Sequence, residues 1–339
     1  MSSLKQSIAD ALRDSEQRVR EEADKRVKRR KELREKDISA EIRIVAWIDI
    51  LGFSQQLQQA RTEAQYRSVY HKLLLVHEMF DAPSASDQPD VIAKNNDDYG
   101  RSVMALSDGL VVTASPNAKA RTVMTSYDLL MSFIGDIVMA QANCALNGVF
   151  LRGGISIGPF YCENNILLSR ALIDAYKMET ERAYYPVILI SPNHVAALRQ
   201  LKGFKHYAKG WEPSPTYFRP FKSPSRKKGE RFLHLDYLRY LAHPDNHGFF
   251  CERDRIESLD REKYSPTERQ HLFSLSHFKS AARAMRGHKE KLIQAYKATN
   301  SERVKAKYRW LMAYQNRTLR GFHPVYNQAR IDLQDFSKA

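Results

Sequence analysis

Residues 41–54 read EIRIVAWIDILGFS, and the pattern of this stretch decides the fold prediction. Apolar side chains alternate along positions 42–48 as they do in a β-strand. One carboxylate, Asp49, follows inside the apolar run, and Gly52 ends it. Positions 53–80 then carry apolar residues near helical spacing. The sequence therefore predicts a strand with Asp49 near its carboxyl end, a glycine turn and a helix.

A second apolar segment, 105–112, reads ALSDGLVV and carries the carboxylate of Asp108. Its Ser-Asp-Gly sequence predicts the turn of a β-hairpin. A buried charge is costly unless an opposite charge or a metal ion compensates for it. Two strand-borne aspartates that share divalent cations are the centre of two-metal phosphoryl chemistry. We therefore expect Asp49 and Asp108 to lie together and to hold two Mg²⁺ or Mn²⁺ ions per site.

The composition limits the classes of function. The chain has 339 residues, is 43% hydrophobic and has no secretory signal pattern at its first residues. No apolar run reaches about 18 residues, so we expect no membrane span. The three cysteines lack metal-site spacing, which favours the reducing cytoplasm. The formal net charge of +15 favours anionic partners such as nucleotides, nucleic acid or acidic membrane, without choosing among them.

Three regions differ in their patterns. Residues 1–38 are dense in charge, with acid–base pairs at i,i+4 spacing that predict an exposed helix. Residues 39–205 show strand and helix patterns in the order β-α-β-β-α-β-β-α-β. This order predicts an α+β domain near the ferredoxin-like class, with helices on one face of the sheet. Residues 206–339 combine a basic loop at 211–230 with a helical C-terminal extension.

Individual elements follow from the same patterns. Within the sheet domain we predict a turn at Arg152-Gly153-Gly154 between two short strands. The other predicted elements are strands at 149–151, 155–161 and 186–190 and helices at 119–146, 168–183, 267–297 and 301–319.

Three segments resemble motifs of the class III nucleotide cyclases. The run Asp49-Ile50-Leu51-Gly52-Phe53 resembles the first metal motif of that family, and Ser107-Asp108 resembles the second. The third, RGGISIG at 152–158, resembles the family's Arg-x-Gly-Ile-x-x-Gly segment. The resemblance covers roughly residues 40–200. It implies a class III cyclase-like fold in which Asp49, Asp108 and the backbone carbonyl of Ile50 hold the metals.

The fourth motif of that family is altered in this chain. Class III cyclases usually carry an Asn and, four residues later, an Arg on a late helix, and both approach the nucleotide from the partner subunit. Aligned on Met178-Glu179, this chain has Ile173 and Lys177 at those positions. Lysine keeps the positive charge but lacks the planar fork of arginine, and isoleucine cannot hydrogen-bond.

This departure, together with the RALIDAYKME segment at 170–179, resembles the pyrimidine cyclases of bacterial Pycsar anti-phage systems. The resemblance implies a homodimer with shared active sites. Its substrate would be UTP or CTP, with UTP placed first, and its products 3′,5′-cyclic UMP or cyclic CMP and pyrophosphate. It also implies a companion effector that binds the cyclic nucleotide.

Four consecutive residues after the first strand are candidate substrate contacts. The N–H groups at the start of the predicted helix are free to bind phosphate oxygens, which assigns this role to the turn at Gly52, Phe53 and Ser54. Leu51 is a further candidate substrate-binding residue. Trp47 is two residues before Asp49 and shares its strand face. Either its ring narrows a base pocket to fit a pyrimidine, or it is an aromatic residue of the core.

The roles of two cationic residues stay open. Arg152 either binds the triphosphate or ties the edge of the sheet, and Lys177 either supplies charge to the partner subunit's site or is a solvated helix residue. Two other functions also stay open: an ordinary adenylate or guanylate cyclase, and a degenerate cyclase fold that serves as a nucleic-acid-binding or scaffold protein. Intact Asp49 and Asp108 count against the last, so we do not expect nucleic acid as a partner.

Overall fold

In the computed structural model, the residues described are 17, 21–25, 27–28, 40–81, 98, 100–107, 109–115, 129–163, 166–199, 218–221, 232–244, 246, 264–320, 322 and 324–336. The chain divides into two compact units, residues 1–40 and 41–339. In the first unit, helix is assigned at 17, 21–25 and 27–28, within the predicted helix 1–38. The rest of that predicted helix lies outside the described residues.

One mixed β-sheet organises the second unit. Its strands hydrogen-bond in the order β2-β3-β1-β4-β6-β8-β7, and β5 pairs with β4. β1 is antiparallel to β3 and to β4, whereas β4 and β6 are parallel. The strands are β1 (Glu41–Ile50), β2 (Arg101–Leu106), β3 (Gly109–Ala114), β4 (Leu151–Glu163), β5 (Ile166–Ser169), β6 (Ile188–Ile190), β7 (Phe218–Phe221) and β8 (Phe232–Leu235).

Eight described helices and two 3₁₀ turns complete the second unit, so the predicted α+β class is confirmed. None of the described helices is long and apolar enough to cross a membrane. The helices are α1 (Phe53–Gln59), α2 (Glu63–Asp81), α3 (Leu129–Leu146), α4 (Arg170–Arg182), α5 (Pro192–Arg199), α6 (Tyr237–Ala242), α7 (Pro266–Ala298) and α8 (Glu302–Thr318). The 3₁₀ turns are Pro324–Ala329 and Gln334–Phe336.

Strand β1 is buried on both faces. Ile44, Ala46 and Ile48 point into the large core beneath α2 and α3. Val45 points to the opposite face, where it packs in a second cluster with Ala171 of α4. This is the period of two that a strand imposes. The prediction of helices on one face is therefore incomplete, because α4 covers the second face at β1 and β4.

The predicted turn at residues 152–154 is wrong. The two short strands expected on either side of it form one continuous strand, β4, in which Gly153 and Gly154 pair with Ile48 and Trp47 of β1. The chain reverses only after Glu163, to form β5. The glycines serve close packing within the sheet and not a change of direction.

Helix boundaries also differ from the prediction at the start of the unit. The helix predicted over 53–80 is divided into α1 and α2, because Ala60 ends α1 with extended backbone angles (φ −63°, ψ 128°). The helix predicted over 119–146 is described from Leu129 as α3, and residues 119–128 lie outside the described residues.

The C-terminal region adds strands as well as helices. The long helices α7 and α8 confirm the predictions at 267–297 and 301–319, and serine caps begin both. Residues 218–221, predicted as part of a basic loop, instead form β7, because Phe221 is buried beside Val187 and Leu189. Strand β8 pairs with β6 in the main sheet. The predicted domain boundary between residues 205 and 206 stays a prediction.

A buried polar network joins the C-terminal helices. Gln315 donates from Nε2 to the carbonyls of Met285 and Ala329, at 3.1 and 2.7 Å, which leaves its Oε1 to accept from His288 Nδ1 at 2.6 Å. The other ring nitrogen of His288 then accepts from the Tyr237 hydroxyl at 3.0 Å. Burial lowers the pKa of His288 from 6.5 to about 4, so the native state keeps this ring neutral.

Acidification should therefore destabilise the fold through His288. The unfolded imidazole binds a proton near pH 6.5, and the native one only near pH 4, so stability is lost as the pH falls through this window. Relative to His288→Gln, the wild type should lose about 2 kcal/mol more unfolding free energy between about pH 7 and pH 5. Urea unfolding at both values measures this, and equal losses in the two proteins would contradict it.

Candidate functional site

The site is built around the carboxyl end of β1. Asp49 is the second-last residue of that strand, as predicted, and its carboxylate is largely buried. On one side Asp49 is in register with Gly109 of β3, and on the other with Arg152 of β4. Asp108, which precedes Gly109 in the chain, lies outside the described residues. The hairpin itself was predicted, and β2 and β3 confirm it.

Arg152 links two carboxylates at this strand end. Its Nε lies 2.6 Å from Asp49 Oδ2, to which it donates a hydrogen bond, and 2.8 Å from Glu179 Oε1 of α4. The Glu179 side chain is only 2% exposed, against 24% for Arg152. Two neighbouring carboxylates repel each other when both are charged, and the shared guanidinium offsets that repulsion. Arg152 thus joins β1, β4 and α4 through these contacts, and whether it also binds a triphosphate stays a prediction.

Sequence reasoning missed the part that Glu179 plays. Its signal was present, because Ala171, Ala175 and Met178 form the buried stripe of α4 and Glu179 continues that stripe. An acidic residue on a buried helix face requires a cationic partner. Arg152 is that partner, brought from a neighbouring strand.

One lysine of the C-terminal region is buried. Lys307 of α8 is 5% exposed, and its ammonium lies 5.3 Å from the centre of the Tyr184 ring. Its pKa is lowered from 10.5 to about 8, mainly by burial and then by the charges of Arg152 and Arg303, whereas the charges of Asp49 and Glu179 raise it. No local pattern indicated this residue, because it lies far from the motif segments along the chain.

Trp47 packs beside Asp49 on the same strand face. A Cβ at position 109 would lie 2.5 Å from Trp47 Cζ2, so the ring lies directly on Gly109. Its other neighbour is Tyr176 of α4, edge-on with ring centres 5.5 Å apart. The indole is only partly buried, although its Nε1 is covered and has no hydrogen-bond partner among the described residues. The Trp47 ring thus packs between Gly109 and Tyr176 and lies on the same strand face as the Asp49 carboxylate.

The predicted phosphate-binding turn follows β1 directly. Gly52 adopts a left-handed conformation (φ 78°, ψ 9°) and precedes the seven-residue helix α1. Leu51 and Phe53 are buried in the core, and Ser54 is exposed. The Leu51 and Phe53 side chains therefore cannot contact a substrate. The Leu51 N–H donates to the Phe150 carbonyl at 2.9 Å, so of these two backbone N–H groups only that of Phe53 stays a candidate phosphate contact. The Ile50 carbonyl, predicted as a metal ligand, belongs to the last residue of β1.

Lys177 lies on a different surface of α4 from Glu179. It is exposed, as are its neighbours Ile173 and Tyr176, which are 55% and 49% exposed. Ile166 and Leu168 of β5 are exposed to a similar extent. The structure therefore does not bring Lys177 to the Asp49 cluster of its own subunit. It places this lysine beside an exposed apolar surface.

The donor chemistry fits a divalent cation in part. Carboxylate and carbonyl oxygens, as Asp49 and Ile50 provide, are the ligands that Mg²⁺ prefers. Within the described part of the chain, no group of three or more His, Cys, Asp or Glu side chains forms a metal site. A metal at Asp49 thus requires a further ligand, for which Asp108 is the candidate next to Gly109 along the chain.

No protein-family model matches this chain, and no curated protein matches it in sequence. The similar solved structures include the adenylyl cyclase CyaB from P. aeruginosa, with 14% identity and a TM-score of 0.32, covering 59% of this chain and 96% of that one. An adenylate/guanylate cyclase/hydrolase from Silicibacter pomeroyi shows 16% identity and a TM-score of 0.35, covering 59% and 98%. A bacterial light-regulated adenylyl cyclase shows 14% identity and a TM-score of 0.31, covering 59% and 92%. At these sequence identities and TM-scores, the similarity supports no conclusion about the function of this chain.

The packing of α4 on β4 should depend on Gly154. A Cβ there would overlap the carbonyl oxygen of Ala175 and lie 2.8 Å from Met178 Cβ, whereas one at Gly158 would meet only the Ala171 Cβ at 3.6 Å. Gly154→Ala should cost about 2 kcal/mol or more, because it pushes α4 and Glu179 away from the sheet. Gly158→Ala should change stability little. Thermal unfolding of both variants measures the difference, and equal melting temperatures would contradict this packing.

Proposed function

We propose that this protein is a metal-dependent nucleotide cyclase. In the reaction, the ribose 3′-hydroxyl oxygen of a nucleoside triphosphate attacks the α-phosphorus. The bond from that phosphorus to the bridging oxygen breaks, and pyrophosphate leaves. The proposal rests on the register of β1 and β3. In this register Asp49 lies directly across from Gly109, the residue that follows Asp108 in the chain. Two carboxylates at one strand end are what this chemistry requires.

Asp49, Asp108 and the Ile50 carbonyl are the residues we assign to metal binding. Two Mg²⁺ or Mn²⁺ ions held there supply the charge that acidifies the attacking hydroxyl and neutralises the leaving pyrophosphate. Arg152 holds the Asp49 carboxylate in place through their 2.6 Å hydrogen bond. Backbone N–H groups of residues 52–54 are our candidates for binding phosphate oxygens, because the Leu51 N–H already donates to the Phe150 carbonyl at 2.9 Å.

The preferred substrate is a pyrimidine nucleotide, with UTP ahead of CTP. Support comes from Trp47, whose ring stands beside Asp49 between Gly109 and Tyr176 and so restricts the space for a base. The resemblance of residues 170–179 to Pycsar cyclases extends the proposal to a cyclic UMP or cyclic CMP signal in anti-phage defence. A companion effector would bind that product. An ordinary purine cyclase is the alternative.

We propose a homodimer that joins two copies through the exposed apolar surface formed by Ile166, Leu168, Ile173 and Tyr176. Exposed apolar clusters of this kind mark interaction surfaces. Lys177 is exposed on α4 beside Ile173 and Tyr176, so in a dimer its charge is available to the other subunit. A contact with the other subunit agrees with the exposed position of Lys177. A role in the Asp49 cluster of its own subunit does not explain that position.

A panel of nucleotides tests the proposal. The purified protein is incubated with ATP, GTP, CTP and UTP in turn, with Mg²⁺ or Mn²⁺, and products are identified by mass. We expect cyclic UMP or cyclic CMP with release of pyrophosphate. Cyclic AMP or cyclic GMP as the main product would favour the purine alternative. No product, together with tight salt-sensitive nucleic-acid binding, would favour the scaffold hypothesis.

Asp49→Asn and Asp108→Asn should each abolish cyclisation. Both variants keep the side-chain volume, and Asp49→Asn leaves Arg152 paired with Glu179 at 2.8 Å, so its fold should persist. Asp332→Asn, at an exposed position, is the matched control and should keep full activity. Product formation and circular dichroism measure both properties. A folded Asp49→Asn variant with substantial turnover contradicts the metal assignment.

Trp47→Ala should raise the use of ATP and GTP relative to UTP and CTP, because it removes the ring beside Asp49. The truncation should cost about 3 kcal/mol, since the ring also packs on Gly109 and Tyr176. Trp47→Phe keeps most of the packing and is the control for stability. A folded, active Trp47→Ala enzyme with unchanged base preference would exclude the pocket role.

Mixing Asp49→Ala with Lys177→Ala should restore part of the activity that each variant lacks alone. In a dimer with shared sites, the mixed species has one site with both defects and one site with neither. Product formation by the mixture, with subunit exchange confirmed by mass spectrometry, measures this. Lack of recovery after exchange would assign Lys177 no role across the dimer.

A further inference from the structure

A cavity of about 500 Å³ opens at the carboxyl end of β1. Residues 50–52 form one wall, and α7 with the segment that joins it to α8 forms another. Ile50 packs in the main core, whereas Asp49 lies on the other face of the strand because successive side chains alternate. Asp49 does not line the cavity. The cavity is thus separate from the Asp49 cluster, and its size is typical of sites for small ligands.

The charged side chains of this cavity are all cationic. Lys72 of α2 and Lys291 of α7 line it, and none of the lining side chains, which all belong to described residues, is acidic. Lys72 donates from Nζ to the Gln56 amide oxygen, and burial lowers its pKa below the ordinary value. A neutral amide does not balance the charge of a partly buried ammonium group, and an anionic ligand would do so.

Both lysines lie at the loop that precedes β4. A Cβ built on Gly148 would lie 3.6 Å from Lys291 Cδ, so the Lys291 stem crosses this glycine. Lys72 borders the same loop, because it and residues 147–149 also line a neighbouring depression of the surface. The loop therefore brings two cations from α2 and α7 to one end of the cavity.

The cavity extends from this cationic end along α7. The lining residues 291, 294, 295 and 298 follow the spacing of one helix face, and the rise of an α-helix places the last about 10 Å from the first. Thr299 and Asn300 border the far end. Two lysines thus mark one end and uncharged polar groups the other, which gives the cavity a direction.

The remaining lining combines amide groups with a few buried apolar residues. Val149, Phe150 and Tyr308 are buried and supply apolar surface on which a sugar or aromatic ring can pack. Amide groups both donate and accept hydrogen bonds, as recognition of hydroxyl groups and phosphate oxygens requires. The amide side chains that line the cavity are Gln55, Gln56, Gln59, Asn147, Gln294 and Asn300.

We propose that this cavity is a second binding site of the protein, for a phosphorylated ligand of sugar-phosphate or nucleotide size. The phosphate binds at the end marked by Lys72 and Lys291, and the ring with its hydroxyl groups lies toward Asn300. This site goes beyond the proposed function and does not depend on it. Its occupant would contact Gly52, and so the turn that follows the strand end of Asp49.

Calorimetry on the full-length protein tests this site, in EDTA so that divalent cations are removed. The probes are ribose 5-phosphate and ribose. We expect saturable binding of ribose 5-phosphate and far weaker binding of ribose, because only the first carries an anion. The double variant Lys72→Met/Lys291→Met should weaken ribose 5-phosphate binding about tenfold or more, since charge-assisted hydrogen bonds are lost. Lys297→Met, exposed on α7 outside the cavity, is the matched control and should bind like the wild type.

A further variant blocks the cavity and leaves both lysines in place. Ala298 is exposed and lines the cavity, so Ala298→Trp should keep the fold and weaken ribose 5-phosphate binding by a similar factor. This variant decides if the double variant does not fold. Asp49→Asn should bind the probe like the wild type, because Asp49 lies on the other face of β1.

The absence of saturable binding by the folded wild type overturns the proposal. Unchanged binding by a folded Ala298→Trp protein, or equal weakening by Lys297→Met, does the same. Loss of binding in Asp49→Asn would assign the probe to the Asp49 cluster and also overturn it. The proposed function fails separately: a protein that cyclises no nucleotide but binds ribose 5-phosphate through these lysines contradicts only the cyclase proposal.

Discussion

The ion pair between Asp49 and Arg152 is the interaction on which the site depends. It forms between directly paired residues of β1 and β4, and Glu179 of α4 joins it through the same Nε. One guanidinium thereby connects two strands and a helix at the end of the sheet. Removing Arg152 would leave two buried carboxylates without their shared cation, which costs far more than a surface ion pair. The hydrogen bond from Arg152 holds the Asp49 carboxylate in position.

Close packing makes this ion pair possible. Glu179 reaches Arg152 only because α4 lies directly on β4, and Gly154 supplies the space for that approach. Gly109 does the same for the Trp47 ring on the neighbouring strand. Gly153 and Gly154 are thus explained by close contacts within the sheet and with α4, whereas Gly52 serves a left-handed turn. The ion pair of the site therefore depends on the close packing of α4 against β4.

The strand that carries Asp49, the following glycine turn and the β2–β3 hairpin could be predicted because each has a local pattern of alternation and turn residues. Arg152-Gly153-Gly154 was misassigned as a turn, because sequence alone does not distinguish a glycine needed for chain reversal from one needed for close approach. Strand β7 was missed because its burial depends on pairing with β8. Glu179 was missed as a member of the cluster, since only tertiary packing brings α4 to β1 and β4.

The central claim is that the Asp49 end of β1 is a metal-dependent nucleotide site. Electron paramagnetic resonance of Mn²⁺ tests this most directly, with the wild type and Asp49→Asn each titrated in the presence of a triphosphate whose α,β-bridge is a methylene group. The account predicts Mn²⁺ bound by the wild type in a nucleotide-dependent way and lost in Asp49→Asn. Equal Mn²⁺ binding by the two folded proteins would contradict it.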